Sequence, residues 1–258
     1  MAIVTFLSDF GNTDHYVAAV KAKMLRVNPG LQIVDVSHSV KKHNLIHCSY
    51  LLKNVFREFP AGSVHLVCVA GGQEGDGEFI AVKLEEHYFV GRDNGLFSLL
   101  SDHSPLGVVE LASKTNQTFP EKVTLAEAAA RLASGETIHN LGPRKPEMRK
   151  LLNRASRATK KQIQGHVIHV DHFGNLVTNI LKQDFDILTR ERGYTIIFGR
   201  EKHNKIFENY NEVEPGECFT LFNSDGVMEI GISQGNASEL LGLDFDSPVN
   251  IIFDESTP

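Results

Sequence analysis

This 258-residue sequence has few cysteines, no long apolar run and no excess of positive charge, and each of these features excludes a class of protein. The three cysteines, Cys48, Cys68 and Cys218, are widely spaced and odd in number, so they form neither a disulfide framework nor a metal-ligand pair. No apolar run approaches the roughly 18–20 residues that cross a bilayer, and the first residues carry no basic flank or small-residue cleavage site. We therefore expect a cytoplasmic protein that does not enter a membrane.

Charge and composition narrow the class of partner. The sequence has 26 Lys and Arg residues against 32 Asp and Glu residues, a formal net charge of −6, so it lacks the positive field that attracts nucleic acid. With 41% hydrophobic and 22% charged residues, the composition is that of a soluble globular protein. The length suits two domains of ordinary size, and we expect a small molecule as the partner.

The first hundred residues alternate short apolar runs with segments of helical period. The runs at 3–7, 31–36 and 63–69 predict strands, and the apolar spacing between them predicts helices. Because strands joined by helices normally lie parallel, we predict an α/β domain over residues 1–143, with a parallel-type sheet and flanking helices. Ligand sites in such sheets lie at the carboxyl ends of the strands, so the loops that follow the three runs are candidate sites.

A capping box predicts where one helix begins. Thr124 and Glu127 have the spacing at which a hydroxyl and a carboxylate satisfy free backbone amides reciprocally, at the start of an Ala-rich segment. Gly135 ends that segment. We therefore expect a helix that opens at Thr124 and closes at Gly135.

A basic segment separates the two halves of the sequence. Residues 144–162 hold eight Lys or Arg residues against a single Glu147, and no aromatic residue is interleaved for stacking on bases. We therefore predict a solvated linker over 144–162 in preference to an RNA-binding surface. Residues 163–258 alternate short strands with turns, which predicts an all-β, barrel-like C-terminal domain, a small barrel or a sandwich.

Polar turns at the ends of the predicted strands are the candidate binding sites. Asp9 directly follows the first strand, where a carboxylate can hold a ribose diol by two hydrogen bonds, although Asp-Gly turns are also common after strands. Residues 171–179 place an acid, two amides and a hydroxyl in one turn, which suits a polar ligand or an Asx-stabilised turn. Residues 223–226 and 234–237 flank one strand, so they fold over a shared pocket or form ordinary hairpin turns.

Two further groups are weighed as metal sites. His43 and His47 lie four residues apart on a predicted helix, but no third ligand is indicated nearby, so we expect no metal there. The loop at 70–78 has four glycines and three acids, and its carboxylates would repel phosphate, which excludes a phosphate cradle. A solvated hairpin and oxygen ligation of a divalent cation both stay open for this loop.

Five motifs occur in one order along nearly the whole chain. They are Leu7-Ser8-Asp9-Phe10-Gly11 with Asp14-His15-Tyr16-Val17, Val34-Asp35-Val36-Ser37-His38, Gly91-Arg92-Asp93-Asn94-Gly95-Leu96, Asp171-His172-Phe173-Gly174-Asn175-Leu176-Val177-Thr178-Asn179, and Asn223-Ser224 with Gly235-Asn236-Ala237. Together they resemble the S-adenosylmethionine hydroxide adenosyltransferase family, whose superfamily also contains fluorinating and chlorinating enzymes. The resemblance implies an N-terminal α/β domain, a C-terminal β-barrel, and a homotrimer with ligand sites between the N-terminal domain of one subunit and the C-terminal domain of its neighbour.

The resemblance also implies roles for the polar turn residues. Asp9 would hold the ribose hydroxyls of S-adenosylmethionine, which is the implied substrate or ligand, and no separate cofactor is implied. The other implied ligand-binding residues are Asp171 and Ser224 for the methionine amino and carboxylate end, Asn175, Asn236 and Ala237 for adenine, and Asn223 beside Ser224.

The residues that carry the family's reaction are missing from this sequence. The family's hydrolases let water displace methionine from the ribose C5′ carbon, which gives adenosine and methionine, and they position the water with an Asp, an Arg and a His. Here Ala70, Gly77 and Pro120 stand at those positions, and none of them can orient water through a side chain. The halogenating enzymes fit no better, because their Tyr and Thr fall at Ala70 and Gln73.

Three functions therefore stay open at this point, and the sequence leaves undecided whether the protein is an enzyme. The first is a hydrolase with a rebuilt water site that uses a carboxylate in a closed pocket as its base. Its candidate carboxylates are Glu74, Asp76, Glu78 and Glu121. The second is a binding protein that kept the nucleoside pocket without turnover, as a sensor, carrier or scaffold. The third is an enzyme that acts on another adenosine-like ligand with a different nucleophile.

Overall fold

The computed structural model describes residues 3–69, 77–112, 118–152, 154–190 and 192–254. The chain divides into two compact units, Met1–Asn153 and Arg154–Pro258. No helix in the described ranges is both long enough and apolar enough to span a bilayer.

Six strands form the central sheet of the N-terminal unit: β1 (Ile3–Ser8), β2 (Gln32–Ser37), β3 (Val64–Cys68), β4 (Phe79–Leu84), β5 (His87–Arg92) and β6 (Gly107–Glu110). Their spatial order is β2-β1-β3-β5-β4-β6, and β1, β2 and β3 lie parallel as predicted. β5, which the sequence patterns did not predict, pairs in parallel with β3. The sheet as a whole is mixed, which corrects the prediction of a parallel-type sheet, because β4 runs antiparallel to β5 and β6. Glu85 and Glu86 join β4 directly to β5, so the chain has no room for the crossover that a parallel neighbour needs.

Helices cover both faces of this sheet. They are α1 (Tyr16–Val27), α2 (Leu45–Lys53) and α3 (Ala126–Ala133). Side chains alternate along β1, so that Val4 and Phe6 pack into a cluster with residues of α1 and α3, while Leu7 packs into a second cluster with residues of α2. Because helices occupy both faces, polar groups that serve a ligand gather at the ends of the strands, where the loops leave the sheet.

The helix predicted from Thr124 begins earlier than the capping box indicates. Residues Glu121–Leu125 form a π-helix that continues into α3, so Thr124 lies inside the helical segment and its side chain makes no cap. Pro120, with a φ of −68°, already has helical dihedral angles and starts the helix ahead of Thr124. The predicted end is confirmed, since Gly135 has a φ of +94° just after α3.

Eight strands form the sheet of the C-terminal unit: β7 (Arg157–Ala158), β8 (Gln162–Val170), β9 (Leu176–Leu181), β10 (Tyr194–Phe198), β11 (Glu201–His203), β12 (Cys218–Phe222), β13 (Val227–Ile232) and β14 (Pro248–Phe253). Neighbours along the order β11-β10-β14-β8-β9-β13-β12 pair antiparallel, with β7 beside β8, and the sheet is nearly closed, which confirms the barrel-like prediction. The unit is not purely β, because the described residues include two short helices: α4 (Lys182–Thr189) directly follows β9, and α5 (Ala237–Leu241) follows a turn. The side chain of Asn236 starts α5 and Gly242, at a φ of +66°, ends it.

The basic segment at 144–162 is divided between the two units. In its first part the Arg149 N–H donates to Asp93 Oδ1 at 2.7 Å and the Leu151 N–H donates to Ser98 Oγ at 2.9 Å, so this part packs on the N-terminal unit. Its last part contains β7, which pairs with β8 in the C-terminal unit. The charge pattern predicted a solvated connector. It could not reveal this packing, because charge carries no information about the hydrogen-bond partners of the backbone amides.

Candidate functional site

Three parallel strands of the N-terminal sheet end side by side, and polar residues stand at their ends. Asp9 follows β1, Cys68 is the last residue of β3, and Arg92 is the last residue of β5. The Asp9 N–H donates to the Cys68 carbonyl oxygen at 3.4 Å, and Asp9 Oδ2 accepts from the His43 N–H at 3.1 Å. Asp9 therefore presents a half-buried carboxylate at the carboxyl edge of the sheet.

A polar chain that runs from the buried Ser8 and His38 to the exposed Asp35 supports the loop that begins at Asp9. The Ser8 hydroxyl lies 2.7 Å from His38 Nδ1, and His38 Nε2 lies 3.1 Å from Asp35 Oδ1. Burial raises the pKa of Asp35, but hydrogen bonds from Lys21 and His38 outweigh it and hold that pKa below its ordinary value. Although the order Ser-His-Asp resembles a nucleophilic triad, Ser8 is fully buried, so its hydroxyl supports the loop and is not presented to a ligand.

A second segment crosses the same edge of the sheet. The Phe119 ring lies 5.6 Å from the Phe10 ring and 5.5 Å from the Tyr16 ring, which anchors the segment beside β1. Two residues later, Glu121 Oε1 accepts a hydrogen bond of 2.8 Å from Arg92 Nη2 at the end of β5. The segment therefore reaches from the end of β1 to the end of β5.

Cys68 is buried at the end of β3, and the pKa of its thiol is affected by the charged side chains around it. Burial raises the pKa of the Cys68 thiol well above its ordinary value, and the negative charges of Glu121 and Asp9 raise it further, against the opposing charge of Arg92. The thiol is therefore protonated and unreactive near neutral pH. The charges of Glu121, Asp9 and Arg92 therefore all affect the pKa of one thiol, at the end of β3.

The positions aligned with the family's reaction residues offer no functional group where they are described. Gly77 has a φ of +80°, and a Cβ added there would lie 2.2 Å from the Asp93 carbonyl oxygen, so this backbone leaves no room for a side chain. Pro120 is the first residue of the helical segment before α3. The predicted positions that lie outside the described residues are Ala70, Glu74 and Asp76.

Glu78, another candidate catalytic carboxylate, is held in an ion pair. Its Oε2 lies 2.6 Å from Lys145 Nζ, and that hydrogen bond raises the pKa of Lys145. Lys145 Nζ also lies 3.5 Å from Asp93 Oδ2. Glu78 therefore ties the start of the basic segment to the N-terminal unit.

A cavity of about 710 Å³ lies in the C-terminal unit. It brings together Asn175 and Asn236, two of the residues predicted to read adenine, although 60 residues of chain separate them. Rings that are 74% and 50% exposed, those of Phe173 and Tyr210, also face it. The residues that line the cavity are Phe173, Asn175, Tyr210, Asn211, Val213, Phe219, Ile232, Ser233, Gln234, Gly235 and Asn236.

The turn that carries Phe173 and Asn175 is organised by Asp171. Asp171 Oδ1 accepts from the Phe173 N–H at 2.9 Å and from the Asn175 N–H at 2.8 Å, and Oδ2 accepts from Asn175 Nδ2 at 3.1 Å. These three bonds are those of an Asx-stabilised turn, the alternative that the sequence left open. Asp171 is not among the described residues that line the cavity.

The turn at Asp171 packs closely on the loop that carries Asn236. Gly174 has a φ of +86°, and a Cβ added there would lie 2.1 Å from Asn236 Oδ1. Asn236 Oδ1 accepts from the Glu239 N–H at 3.1 Å as the cap of α5, so its Nδ2 is the group left for a ligand among the described residues. Ala237, also predicted to read adenine, is fully buried in the core, which leaves its side chain no contact with a ligand.

Asn223 and Ser224 stand apart from the described lining of the cavity. Asn223 Oδ1 accepts from the Asp225 N–H at 3.0 Å and the Val227 N–H at 3.3 Å, which is the hairpin turn that the sequence offered as an alternative. Ser224 is exposed beside it. The methionine-end role that the resemblance implies for Ser224 stays a prediction.

The sequence reasoning missed Tyr210, which lines the cavity, and its buried partner Glu229. Glu229 is 4% exposed in β13, and burial raises the pKa of its carboxyl group, in part against hydrogen bonds from Asn223 and Tyr210. Tyr210 has its pKa raised to about 12, first by burial and then by the charge of Glu229. The available signal was a single charged residue inside the apolar run Val227–Ile232, which indicates a partnered buried carboxylate.

The two histidines weighed as metal ligands have other partners. They do not share a helix as predicted, since His43, at a φ of +61°, lies before α2. The backbone N–H of His43 donates to Asp9, and His47 Nδ1 accepts from the Lys41 N–H at 3.0 Å. Within the described ranges, no three His, Cys, Asp or Glu side chains are arranged to hold a metal ion.

These features define a class of protein. One unit is an α/β sheet that carries acidic and basic side chains at the carboxyl ends of its parallel strands. The other is a barrel-like sheet whose cavity combines side-chain amides with exposed aromatic rings. Such cavities bind small molecules with a flat ring and a few hydrogen-bonding edges.

The chain belongs to the SAM hydroxide adenosyltransferase family. Residues 4–142 match the family's N-terminal domain and residues 165–250 match its C-terminal domain. The chain is 31% identical to an (R)-S-adenosyl-L-methionine hydrolase of Thermus thermophilus over 98% of this chain and 100% of that protein. It is 29% identical to a protein of the same name from Methanocaldococcus jannaschii, over 97% and 96% of the two chains.

A solved structure agrees with the fold. The crystal structure of an uncharacterized conserved protein from Thermotoga maritima superimposes with a TM-score of 0.85 at 28% identity, and the match covers 96% of this chain and 99% of that one.

Proposed function

We propose that this protein binds S-adenosylmethionine and hydrolyses it to adenosine and methionine. The observation that carries the proposal is the single cavity in which Asn175 and Asn236 meet the exposed rings of Phe173 and Tyr210. Its volume, about 710 Å³, falls in the range of pockets that enclose nucleoside-sized ligands. Family membership and the two hydrolases at about 30% identity support the choice of ligand.

The cavity offers the two kinds of contact that adenine needs. Exposed aromatic rings stack on a purine face, a contact worth about 1–3 kcal/mol per base. The Nδ2 group of Asn236 donates to a ring nitrogen, because its Oδ1 is engaged as a helix cap. Asn175, fixed by Asp171, supplies a second amide in a single orientation.

Asp9 is proposed to hold the ribose hydroxyls. A carboxylate accepts two hydrogen bonds from a diol, and the two Asp9 oxygens keep acceptor capacity beyond the bond from His43. As the family resemblance implies, we further propose a homotrimer in which the ligand contacts the Asp9 edge of one subunit and the amide cavity of its neighbour. Sedimentation equilibrium tests the trimer.

The proposed reaction places few demands on the protein. Water attacks C5′, the C5′–S bond breaks with its electron pair on sulfur, and methionine leaves as a neutral thioether. A sulfonium needs little help to leave, so the protein must aim the water and accept its proton.

A non-catalytic nucleoside-binding protein is the second candidate function. The observation in its favour is the absence of a usable side chain at Gly77 and Pro120, since losing a positioned acid or base typically costs on the order of 10²–10⁴ in rate. An enzyme acting on another adenosine-like ligand is the third reading.

One experiment separates these functions. Purified protein is incubated with S-adenosylmethionine, adenosine and methionine are followed by chromatography, and binding is measured by calorimetric titration. Equal amounts of the two products, growing with turnover, support the hydrolase, whereas saturable binding without product supports the second candidate. Binding of neither S-adenosylmethionine nor adenosine overturns both and leaves the third reading.

The same titration tests the ribose contact. Asp9→Ala is expected to weaken nucleoside binding at least about tenfold, because a hydrogen bond to a charged group is worth about 1.5–3 kcal/mol. Glu86→Ala, in the turn between β4 and β5, is the control that removes an exposed carboxylate from the opposite end of the strands. Equal affinities for the wild type and Asp9→Ala would contradict the ribose assignment.

A further inference from the structure

We infer that Glu121 and Arg92 replace the family's missing water-positioning residues: Glu121 takes the proton from the attacking water, and Arg92 holds Glu121 in place. This inference rests on the hydrolysis proposed above and names the groups that carry it out. It assigns a catalytic role to one residue and a positioning role to the other.

The first support is the place of the pair in the fold. Arg92 ends β5, next to β3 with Cys68 at its end and β1 with Asp9 at its end. Asp9 is bonded to Cys68 at 3.4 Å, and the charges of Asp9, Glu121 and Arg92 all act on the Cys68 thiol. The pair therefore stands at the same sheet edge as the carboxylate that is proposed to hold the ribose, whose C5′ carbon is the site of attack.

The second support is the path of the segment that carries Glu121. Its Phe119 ring packs 5.6 Å from Phe10, the residue after Asp9, and its Glu121 reaches Arg92. Pro120 lies between these two anchors and is the position aligned with the family's His. A carboxylate one residue further along thus stands next to the position where the family keeps one of its water-positioning residues.

The third support is the state of the pair itself. Its atoms Nη2 and Oε1 lie 2.8 Å apart, and the two side chains are 22% and 15% exposed, more enclosed than an ordinary surface ion pair. The Arg92 guanidinium also lies 4.6 Å above the Phe79 ring, which fixes its plane. Among the described residues only Oε1 of Glu121 has a hydrogen-bond partner, so Oε2 can accept a proton from water.

The step balances without another reactant. The water oxygen forms the C5′–O bond as the C5′–S bond breaks and its electron pair stays on sulfur. The water proton passes to Glu121 Oε2 and then to solvent. The sulfonium cation and water thus give adenosine, neutral methionine and one proton, and no oxidant, reductant or metal is required.

The test is the steady-state hydrolysis of S-adenosylmethionine by the full chain, with calorimetry for binding. Glu121→Gln is expected to lower kcat by on the order of 10²–10⁴-fold while the Kd for S-adenosylmethionine changes by less than about threefold. Glu136→Gln is the matched control, because Glu136 also pairs with an arginine, Arg131, at 2.6 Å, but just beyond the end of α3. Its kcat is expected to stay within about twofold of wild type.

Conservative variants separate chemistry from a structural defect. Glu121→Asp keeps a carboxylate, so it should recover part of the kcat that Glu121→Gln loses, whereas a purely structural defect would not be relieved by the shorter side chain. Arg92→Lys keeps the charge but loses the planar fork, and should lower kcat by about tenfold. A Glu121→Gln enzyme with wild-type kcat overturns this inference alone. A wild type that binds S-adenosylmethionine and never releases adenosine overturns it together with the proposed hydrolysis.

Discussion

The phenol hydroxyl of Tyr210 donates a hydrogen bond of 3.0 Å to Oε1 of Glu229, a carboxylate that is almost completely buried. Tyr210 lines the cavity of the C-terminal unit, and Glu229 lies in the central part of β13. The bond therefore fixes the ring that is proposed to stack on adenine to a buried carboxylate of β13.

Removing that hydroxyl tests the link between the cavity and the sheet. Tyr210→Phe keeps the ring but leaves a buried carboxylate oxygen without its donor, so we expect the free energy of unfolding to fall by about 1–3 kcal/mol. Urea unfolding measures this change, and Tyr16→Phe is the control, since Tyr16 is exposed as the first residue of α1 and should change stability by less than about 0.5 kcal/mol. Equal losses in the two variants would show that the bond to Glu229 contributes no more to the free energy of unfolding than an exposed hydroxyl does.

Asp171 is expected to act on the ligand through the turn that it organises. Asp171→Ala removes the acceptor of three hydrogen bonds and should weaken nucleoside binding at least about tenfold, an effect of about 1.5–3 kcal/mol. Asp171→Asn keeps an oxygen for the two backbone donors, so calorimetry should show a smaller loss. If Asp171→Ala binds as tightly as the wild type, the turn does not form part of the binding site.

The family's arginine cannot be restored at position 77. Gly77→Arg must place a Cβ 2.2 Å from the Asp93 carbonyl oxygen at a φ of +80°, and we expect a loss of about 2–4 kcal/mol in the free energy of unfolding with no gain in hydrolysis. Gly135→Ala is the matched control, because Gly135 has a φ of +94° but no atom near its added Cβ, so it should lose only about 1 kcal/mol. A stable and faster Gly77→Arg enzyme would contradict the placement of Gly77.

Stability should fall as the pH is lowered from 7 to 5. Burial, and then the charge of His87, lower the pKa of His65 to about 3, and His65 hydrogen bonds to Thr5 in its neutral form. Because this folded-state pKa lies below the unfolded value of about 6.5, the unfolded chain binds the proton first, and roughly 2 kcal/mol is lost by pH 5. Urea unfolding at both pH values measures the loss.

A histidine on the surface provides the control for that experiment. His65→Gln should remove most of the pH-dependent loss, although it lowers stability at pH 7 by disturbing the Thr5 bond. His103→Gln changes an exposed histidine and should leave the pH dependence as it is in the wild type. A His65→Gln protein that still loses about 2 kcal/mol between pH 7 and 5 would place the titrating group elsewhere.

Local patterns in the sequence were enough to predict the parallel part of the N-terminal sheet and the edge at which Asp9 lies. They did not predict β4, which is antiparallel because the two-residue turn Glu85-Glu86 joins it to β5. Glu85 adopts a φ of +53°, and the turn contains no glycine or asparagine, the residues that usually mark such a conformation in a sequence. The local patterns failed at the start of the segment before α3 for a related reason. A capping box is a local signal, and the packing of Phe119 on Phe10 and the bond from Arg92 to Glu121 outweigh it.

What the sequence determined by itself is therefore whatever depends on neighbours along the chain: the strand periods, the acid that follows β1 and the order of motifs that carries the family. The tertiary structure decided what depends on partners far apart. It brought Asn175 to Asn236, gave Glu229 the hydroxyl of Tyr210, and left Glu121 beside Arg92. Period and turn chemistry act over a few residues, whereas burial and charge pairing follow from distances that exist once the chain has folded.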